Sequence, residues 1–153
     1  MPEGWEWVRL VSICLKVTDG THHSPDNFPT GEYKYITAKN IKSNGIVLDD
    51  ITYVTAEVHK EIFARCNPEF GDILYIKDGA TSGIATVNTL HEEFSILSSV
   101  ALLKPSIGLD NWYMCYAMQA LKGNIGMRTF HSLLIFLLKI FFSVQYSSHK
   151  VQL

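Results

Sequence analysis

Gly71-Asp72-Ile73-Leu74-Tyr75-Ile76-Lys77-Asp78-Gly79-Ala80-Thr81-Ser82-Gly83 contains a turn, four consecutive apolar residues and a polar loop. A second apolar run, Ile84-Ala85-Thr86-Val87, leaves that loop. Runs rich in Ile, Val, Tyr and Thr that are bounded by Gly and Asp are typical of strands, so the two runs predict a β-hairpin. The loop at its tip is too polar to belong to a core. We interpret it as the centre of a recognition surface.

Two further polar segments accompany this loop. Thr18-Asp19-Gly20-Thr21-His22-His23 lies early in the chain, and Lys39-Asn40 follows a strand predicted at residues 33–38. Lysine can contact phosphates or guanine edges, asparagine can pair with adenine, and aspartate can accept from cytosine. The hydroxyl of threonine or serine can contact either base or a phosphate. The three segments therefore suit a DNA-reading surface. On chemistry alone, ordinary solvated turns explain the same residues equally well.

The composition indicates one globular domain in a reducing compartment. The chain has 153 residues, 47% of them hydrophobic, and a formal net charge of -2. This charge argues against a strongly basic protein that binds nucleic acid nonspecifically. The three cysteines, Cys14, Cys66 and Cys115, are odd in number and form no Cys-x-x-Cys motif, which favours a cytoplasmic protein without disulfides or a zinc finger. The N-terminus has no apolar run typical of a signal peptide.

The remaining periodicity predicts mostly strands with two helices. The first predicted elements are a hairpin within residues 41–48 that turns at Asn44-Gly45 and a strand at 51–54. A helix then runs from Thr55 to about Arg65, and Asn67-Pro68 ends it. One buried strand at 94–103 precedes a second helix, which Asp110 or Asn111 caps and which runs through Leu121 to a stop at Gly123. This order favours an α+β domain built on a curved, mostly antiparallel sheet with a few helices.

Residues 123–153 differ from the rest of the chain. Residues 133–138 are uninterruptedly apolar, and Lys139 separates them from Ile140-Phe141-Phe142. A helix that spans a bilayer needs about 20 predominantly apolar residues, and this run is about half that length. We therefore expect a recognition domain at residues 1–122 and an atypical apolar tail at 123–153, and a membrane-associated fragment is kept only as an alternative.

Two motifs suggest catalysis, and a simpler explanation is preferred for each. Asn67-Pro68-Glu69-Phe70 is similar to the Asn-Pro-Pro-Phe/Tyr loop of adenine methyltransferases, but no Gly-rich turn for S-adenosylmethionine precedes it, so we interpret it as a helix stop. Asp26, Glu32 and Lys34 fit the loosest form of a Mg²⁺-dependent nuclease pattern, in which two carboxylates hold the metal and the lysine polarises water or phosphate. Asp26 lies in a loop punctuated by Pro and Gly, so this nuclease is kept only as the alternative function.

Other sites are expected to be absent. His22-His23 could bind a metal, but neighbouring side chains diverge and no carboxylate or cysteine has matching spacing, which favours solvated or DNA-facing imidazoles. Gly79-x-x-x-Gly83 lacks the Gly-Lys-Ser/Thr of a phosphate loop. We expect no metal, no cofactor and no small-molecule substrate.

Four segments occurring in one order resemble the specificity subunit of type I restriction-modification systems. They are Pro2-Glu3-Gly4-Trp5-Glu6-Trp7-Val8-Arg9-Leu10, Thr18-Asp19-Gly20-Thr21-His22-His23, Ile36-Thr37-Ala38-Lys39-Asn40-Ile41 and the opening stretch at residues 71–83. The resemblance runs from residue 2 to about residue 122 and covers one target recognition domain. Each segment alone is weak evidence, and the four together at this spacing are specific.

The resemblance implies a non-catalytic protein that binds double-stranded DNA in a sequence-specific way. It implies that the subunit directs partner methyltransferase (modification) and restriction subunits, which carry the cofactors and the chemistry, to the target site. The positions it implies at or near DNA are Thr18, Asp19, Gly20, Thr21, His22, His23, Lys39, Asn40, Lys77, Asp78, Gly79, Thr81, Ser82 and Gly83.

The chain departs from the family pattern in two respects. It contains one recognition domain instead of two, and it lacks the Pro-rich strand and long helix that would dock the modification subunits. From about Gly126 it runs instead into the apolar tail. We hypothesise a truncated or frame-shifted product, which leaves a nonfunctional remnant as a further alternative. Another reading frame of the gene would then encode the missing segment.

Overall fold

The computed structural model describes residues 6–120 and 135–138, with side chains described for residues 8–120. The strands are, in chain order, β1 (Glu6–Arg9), β2 (Cys14–Asp19), β3 (Tyr33–Ile36), β4 (Ile41–Lys42), β5 (Gly45–Ile46), β6 (Thr52–Val54), β7 (Ile73–Ile76), β8 (Ala85–Val87), β9 (Phe94–Ile96), β10 (Val100–Pro105) and β11 (Ile135–Leu138). The helices are the one-turn α1 (Leu10–Ile13), α2 (Ala56–Arg65) and α3 (Asn111–Ala120), and a 3-10 turn spans Ala38–Asn40.

A four-stranded antiparallel sheet in the order β2-β10-β7-β8 forms the centre of the domain. Its inner strands are buried on both faces. Alternate residues of a strand point to opposite faces, so Ile73 and Tyr75 enter one core cluster while Leu74 and Ile76 enter the other. Burial on both faces explains why residues 73–76 form a continuous apolar run instead of alternating with polar residues.

Different elements cover the two faces of this sheet. On one face, α1 contributes Leu10, and α3 contributes Met114, Cys115 and Met118. On the other face lies a three-stranded sheet in the order β6-β3-β9, together with the end of α2. Each large apolar side chain that is buried between the layers stabilises the fold by about 1.5–3 kcal/mol.

The predicted hairpin, helices and fold class are confirmed. The strands β7 and β8 pair antiparallel as the opening stretch predicts. Thr55 caps α2 through its hydroxyl oxygen, which accepts from the Val58 amide at 3.4 Å, and Asp110 caps α3 by accepting from the Tyr113 amide at 2.6 Å. The domain is α+β and mostly antiparallel, although its strands form several small sheets and β3 pairs with β9 in parallel.

The single buried strand predicted at residues 94–103 is wrong. The segment forms two strands in different sheets, because the chain turns at residues 97–99, where the Val100 amide donates to the Leu97 carbonyl at 2.9 Å. Before the turn, β9 pairs with β3, and after it β10 pairs with β7 and β2. Both strands are buried, so the apolar pattern continues across the turn and does not reveal it.

Two smaller differences concern turns and strand ends. In the hairpin of β4 and β5, Lys42 pairs with Gly45, so the turn residues are Ser43 and Asn44 rather than Asn44-Gly45. Within the polar segment at 18–23, β2 extends to Asp19 because Thr18 and Asp19 pair with β10. Asp19 is therefore held by a strand and not by a mobile turn.

Part of the C-terminal tail is described. β11 pairs antiparallel with β1, so this short part of the apolar run forms a two-stranded sheet with the N-terminal strand. The predicted helix stop at Gly123 and most of residues 123–153 lie outside the described residues. In the described ranges, every helix is too short or too polar to cross a bilayer.

Candidate nucleic-acid interface

Three loops meet at one end of the central sheet: residues 18–23, residues 77–83 and residues 97–99. We call this surface the three-loop end. The sheet register creates it, because Val100 pairs with Ile76 and Ala101 pairs with Asp19. Backbone hydrogen bonds then join the loops directly. The Lys77 amide donates to the Ser99 carbonyl at 3.0 Å, and the Ser98 amide donates to the Thr21 carbonyl at 2.9 Å. The segments 18–23 and 77–83, which are 54 or more positions apart in the sequence, thus form one surface with residues 97–99.

The carboxylate of Asp19 is the centre of the three-loop end. Its Oδ2 lies 3.2 Å from Lys77 Nζ, and its Oδ1 lies 3.2 Å from both Arg65 Nη1 and His22 Nε2. Only 6% of the Asp19 side chain is exposed. Burial raises the pKa of this carboxyl, but Lys77, His22 and Arg65 outweigh that effect and hold it below its ordinary value. Asp19 is therefore an ionised anchor that joins its own segment to the 77–83 loop and to the end of α2.

Arg65 belongs to this site although no sequence motif indicates it. It is the last residue of α2, and besides its ion pair with Asp19 it donates from Nη2 to the Gly20 carbonyl. About half of its side chain, 49%, remains exposed. A basic residue at a helix C-terminus is favoured by the helix dipole, but no local pattern indicates that this terminus lies beside residue 19.

Gly20 is required by a close approach of two backbones. A Cβ atom at this position would collide with the carbonyl group of Ile96 and with the carbonyl carbon of Leu97. The adjacent Thr21 amide donates to that same Ile96 carbonyl at 2.9 Å. Any side chain at this position would push residues 18–23 away from β9 and disturb the ion pairs of Asp19.

The hairpin loop at 77–83 is ordered by its own hydrogen bonds and by two glycines. Gly79 and Gly83 have φ angles of +97° and +91°, which favour glycine. The Gly83 amide donates to the Ile76 carbonyl at 2.8 Å, and the Ser82 amide donates to the Gly79 carbonyl at 3.1 Å. Residues 78–81 at the tip are exposed. The tip therefore presents a carboxylate, a hydroxyl and backbone groups to the outside.

Lys77 faces inward more than the sequence suggested. Its Nζ lies 3.2 Å from Asp19 and 3.1 Å from Asp78, and 13% of its side chain is exposed. Burial lowers its pKa, but the hydrogen bonds and charges of these two carboxylates outweigh burial and raise it above the ordinary value. In this position Lys77 joins the loops to each other.

Of the predicted pair Lys39-Asn40, Asn40 supports the fold and Lys39 is exposed. Asn40 is buried, its Oδ1 accepts from the Thr37 amide at 3.0 Å, and its Nδ2 donates to the Val47 carbonyl at 3.1 Å. Its amide is thus used within the fold and not turned outward to a base. Lys39 is exposed. The segment follows β3, whose last residue accepts from the Leu97 amide at 3.1 Å, so it begins beside the 97–99 loop.

One residue of each catalytic motif, Lys34 and Asn67, makes a contact within the fold. Lys34 pairs with Glu92 at 2.8 Å, and Asp26 and Glu32 are exposed. Within residues 6–120, no group of three or more His, Cys, Asp or Glu side chains is arranged to hold a metal ion. Asn67 accepts from Lys16 at 2.7 Å and donates to Glu69 at 3.3 Å, and α2 ends just before it. The helix-stop interpretation of this motif agrees with the structure.

One constellation that the sequence did not reveal is Ser95, His59 and Glu93. His59 Nδ1 lies 3.0 Å from Ser95 Oγ, and its Nε2 lies 3.2 Å from Glu93 Oε2. The imidazole also stacks on Tyr33, with the two ring centroids 3.8 Å apart. Ser95 is fully buried in β9, so its hydroxyl cannot reach a substrate. The cluster fastens α2 to the three-stranded sheet.

Comparison with solved structures identifies proteins with this fold. The chain is similar to the HsdS subunit from Thermoanaerobacter tengcongensis, with a TM-score of 0.65 and 18% sequence identity over 90% of this chain. It is also similar to a chain from a study of complex assembly and conformational transition of the type I R-M system, with a TM-score of 0.60 and 22% identity over 81% of this chain. The likeness expected from the sequence is confirmed at the level of the fold.

The match covers only part of each of these proteins. The chain spans 34% of the first structure's length and 29% of the second. No protein-family model and no curated protein sequence matches the chain.

Proposed function

We propose that this chain is a DNA target recognition domain of a type I restriction-modification specificity subunit, and that it binds double-stranded DNA in a sequence-specific way. The observation that carries the proposal is the three-loop end. There, loops that are distant in sequence converge on Asp19 at one end of a rigid sheet, in a fold shared with HsdS. Loops held by a rigid scaffold are a common way to present binding residues.

The exposed groups at the three-loop end suit the reading of base edges. Hydroxyl, imidazole, carboxylate and backbone groups can donate to or accept from bases in the major groove. We assign direct contact with DNA to Thr18, Thr21, His22, His23, Lys39, Asp78, Gly79, Thr81 and Ser82. The remaining positions, Asp19, Gly20, Asn40, Lys77 and Gly83, shape the loops.

The net charge of -2 fits a binder that uses few phosphate contacts. The separate domain is therefore expected to bind weakly and to gain affinity from basic partner subunits. It performs no catalysis itself and needs no cofactor under this proposal. Its place of action is the cytoplasm, where the DNA of such a system lies.

We also propose that modification and restriction subunits, if a docking helix is supplied, approach from the other end of the sheet. Large apolar side chains are exposed there, and six of them lie in two segments that the Ser106-to-Ile13 backbone hydrogen bond of 3.0 Å brings together. These residues are Val11, Leu15, Ile107, Trp112, Tyr113 and Tyr116. Such a surface, on the side away from the recognition loops, suits a protein partner.

Selection from a library of randomised duplexes tests the proposed function. Purified protein, free and mixed with modification subunits, is expected to enrich one short sequence. The enriched duplex should bind more tightly than a scrambled duplex of the same composition, and its affinity should fall with added salt. Enrichment of no sequence under either condition would overturn the proposal. Cleavage of plasmid with Mg²⁺ that is lost in Asp26→Ala would instead support the nuclease alternative.

A further inference from the structure

We propose that Arg65 is a DNA-contacting residue, and that Asp19 and the Gly20 carbonyl hold its guanidinium so that its exposed donors face the duplex. This inference rests on the proposed function and adds a residue from α2 to a surface otherwise built from loops. Arginine is the residue best suited to bidentate recognition of a planar acceptor such as a guanine edge or a phosphate.

The first argument comes from exposure. Three side chains, Lys77, Arg65 and His22, converge on the Asp19 carboxylate. The Lys77 side chain is only 13% exposed. A ligand could bind its ammonium group only by breaking the ion pair with the buried Asp19 carboxylate, which is costly. Arg65 is 49% exposed and can keep its bond to Asp19 while it offers other donors.

The second argument comes from the donor geometry. A guanidinium has five N–H donors in a fixed planar arrangement. Arg65 uses Nη1 toward Asp19 and Nη2 toward the Gly20 carbonyl, and Gly20 is itself fixed against the backbone of Ile96. Two anchored bonds set the plane of the group before DNA arrives, and this preorganisation lowers the entropic cost of the next contact.

The third argument comes from charge. The two cations Arg65 and Lys77 are matched at the three-loop end by the carboxylates of Asp19 and Asp78. The cluster is nearly neutral, so it cannot attract DNA by bulk positive charge. A directed contact from one oriented cation remains effective under these conditions, because its energy depends on local geometry.

The test uses the duplex enriched by the wild-type protein and five variants, one of them a double substitution, whose folding is checked by circular dichroism. Arg65→Ala is expected to weaken binding at least about tenfold, and Arg65→Lys to restore little because the planar fork is lost. Asp19→Asn should weaken binding at least as much, since it also removes the ion pair with Lys77, and adding Arg65→Ala to it should cost little more because Arg65 has already lost its anchor. Lys60→Ala, an exposed cation on the same helix, is the control and should bind like the wild type.

The way in which Arg65→Ala loses affinity distinguishes contact with a guanine from contact with a phosphate. If Arg65 contacts a guanine, Arg65→Ala should lose preference at one base pair while the salt dependence stays the same. If it contacts a phosphate, affinity should fall equally for all sequences and the salt slope should drop by about one. Binding by folded Arg65→Ala that matches Lys60→Ala would overturn the inference and leave the proposed function intact. Failure of the wild type to prefer any duplex would overturn both.

Discussion

Lys77 Nζ lies 3.2 Å from Asp19 Oδ2, and this ion pair joins two polar loops whose residues are 58 positions apart in the chain. The ammonium group that the sequence suggested as a phosphate contact is thus engaged with a buried carboxylate, and we infer that Lys77 supports the surface. Lys39, by contrast, is exposed. The two lysines should therefore respond differently to substitution.

Lys77→Met and Lys39→Ala are expected to separate support from contact. Lys77→Met should lower both stability and DNA affinity, since it leaves the buried Asp19 carboxylate with fewer partners. Lys39→Ala should leave the urea midpoint unchanged and reduce the salt slope of DNA binding by about one. Equal effects of the two changes on the urea midpoint would contradict this division of roles.

Gly20→Ala should destabilise the domain by about 1–3 kcal/mol, because the added Cβ collides with the Ile96 carbonyl and the backbone must shift. Gly79→Ala is the matched comparison. Its Cβ would meet nothing within 4 Å, so only the strain of a φ of +97° remains, about 1 kcal/mol. Urea unfolding measures both. A smaller loss for Gly20→Ala than for Gly79→Ala would argue against the close approach at residue 20.

The lowered pKa of Asp19 predicts that the domain loses stability in acid. Its pKa in the folded state lies below the ordinary value of 3.8, because Lys77, His22 and Arg65 together outweigh the effect of burial. A lowered pKa means that the stabilisation is complete above 3.8 and disappears as the pH falls through the folded value. Asp19→Asn should be less stable at pH 7 and should lose less stability between pH 5 and acid. A difference between the two proteins that is constant with pH would be inconsistent with this ion pair.

Lys104→Met should destabilise the protein at pH 7 by about 3 kcal/mol, because it leaves Asp72 buried without its ammonium partner at 2.6 Å. Burial already raises the pKa of Asp72, and Lys104 opposes that rise. A raised carboxyl pKa makes stability depend on pH in the opposite direction from the lowered pKa of Asp19, because protonation removes the unfavourable buried charge. The variant should therefore recover part of its loss as the pH is lowered through that pKa. No recovery would show that Asp72 is not the destabilised group.

The cysteines should be unreactive in the folded protein. Burial raises the pKa of Cys14 and Cys66 to about 12 and that of Cys115 to about 11, and the thiolate is the reactive form. At pH 8, a disulfide reagent such as DTNB is expected to modify them only after unfolding in guanidinium. Rapid modification of the native protein would indicate that these sites open.

The sequence was sufficient to predict elements whose signals are local. The hairpin at residues 71–87, the Thr55 cap and the Asp110 cap depend on neighbouring residues, and all three are confirmed. The boundary within residues 94–103 was missed because both strands are apolar and only tertiary pairing separates them. The role of Arg65 was missed for the same reason, since an ion pair between residues 46 positions apart leaves no pattern in the sequence.

Hydrogen exchange measured with and without the enriched duplex, in the presence of modification subunits if these are needed for binding, tests the central claim most directly. If the three-loop end is the DNA surface, the duplex should slow amide exchange in residues 18–23, 77–83 and 97–99 together and leave residues 107–116 unchanged. Protection by the duplex of residues 107–116 alone, or of none of the three loops in a complex that binds DNA, would contradict the account.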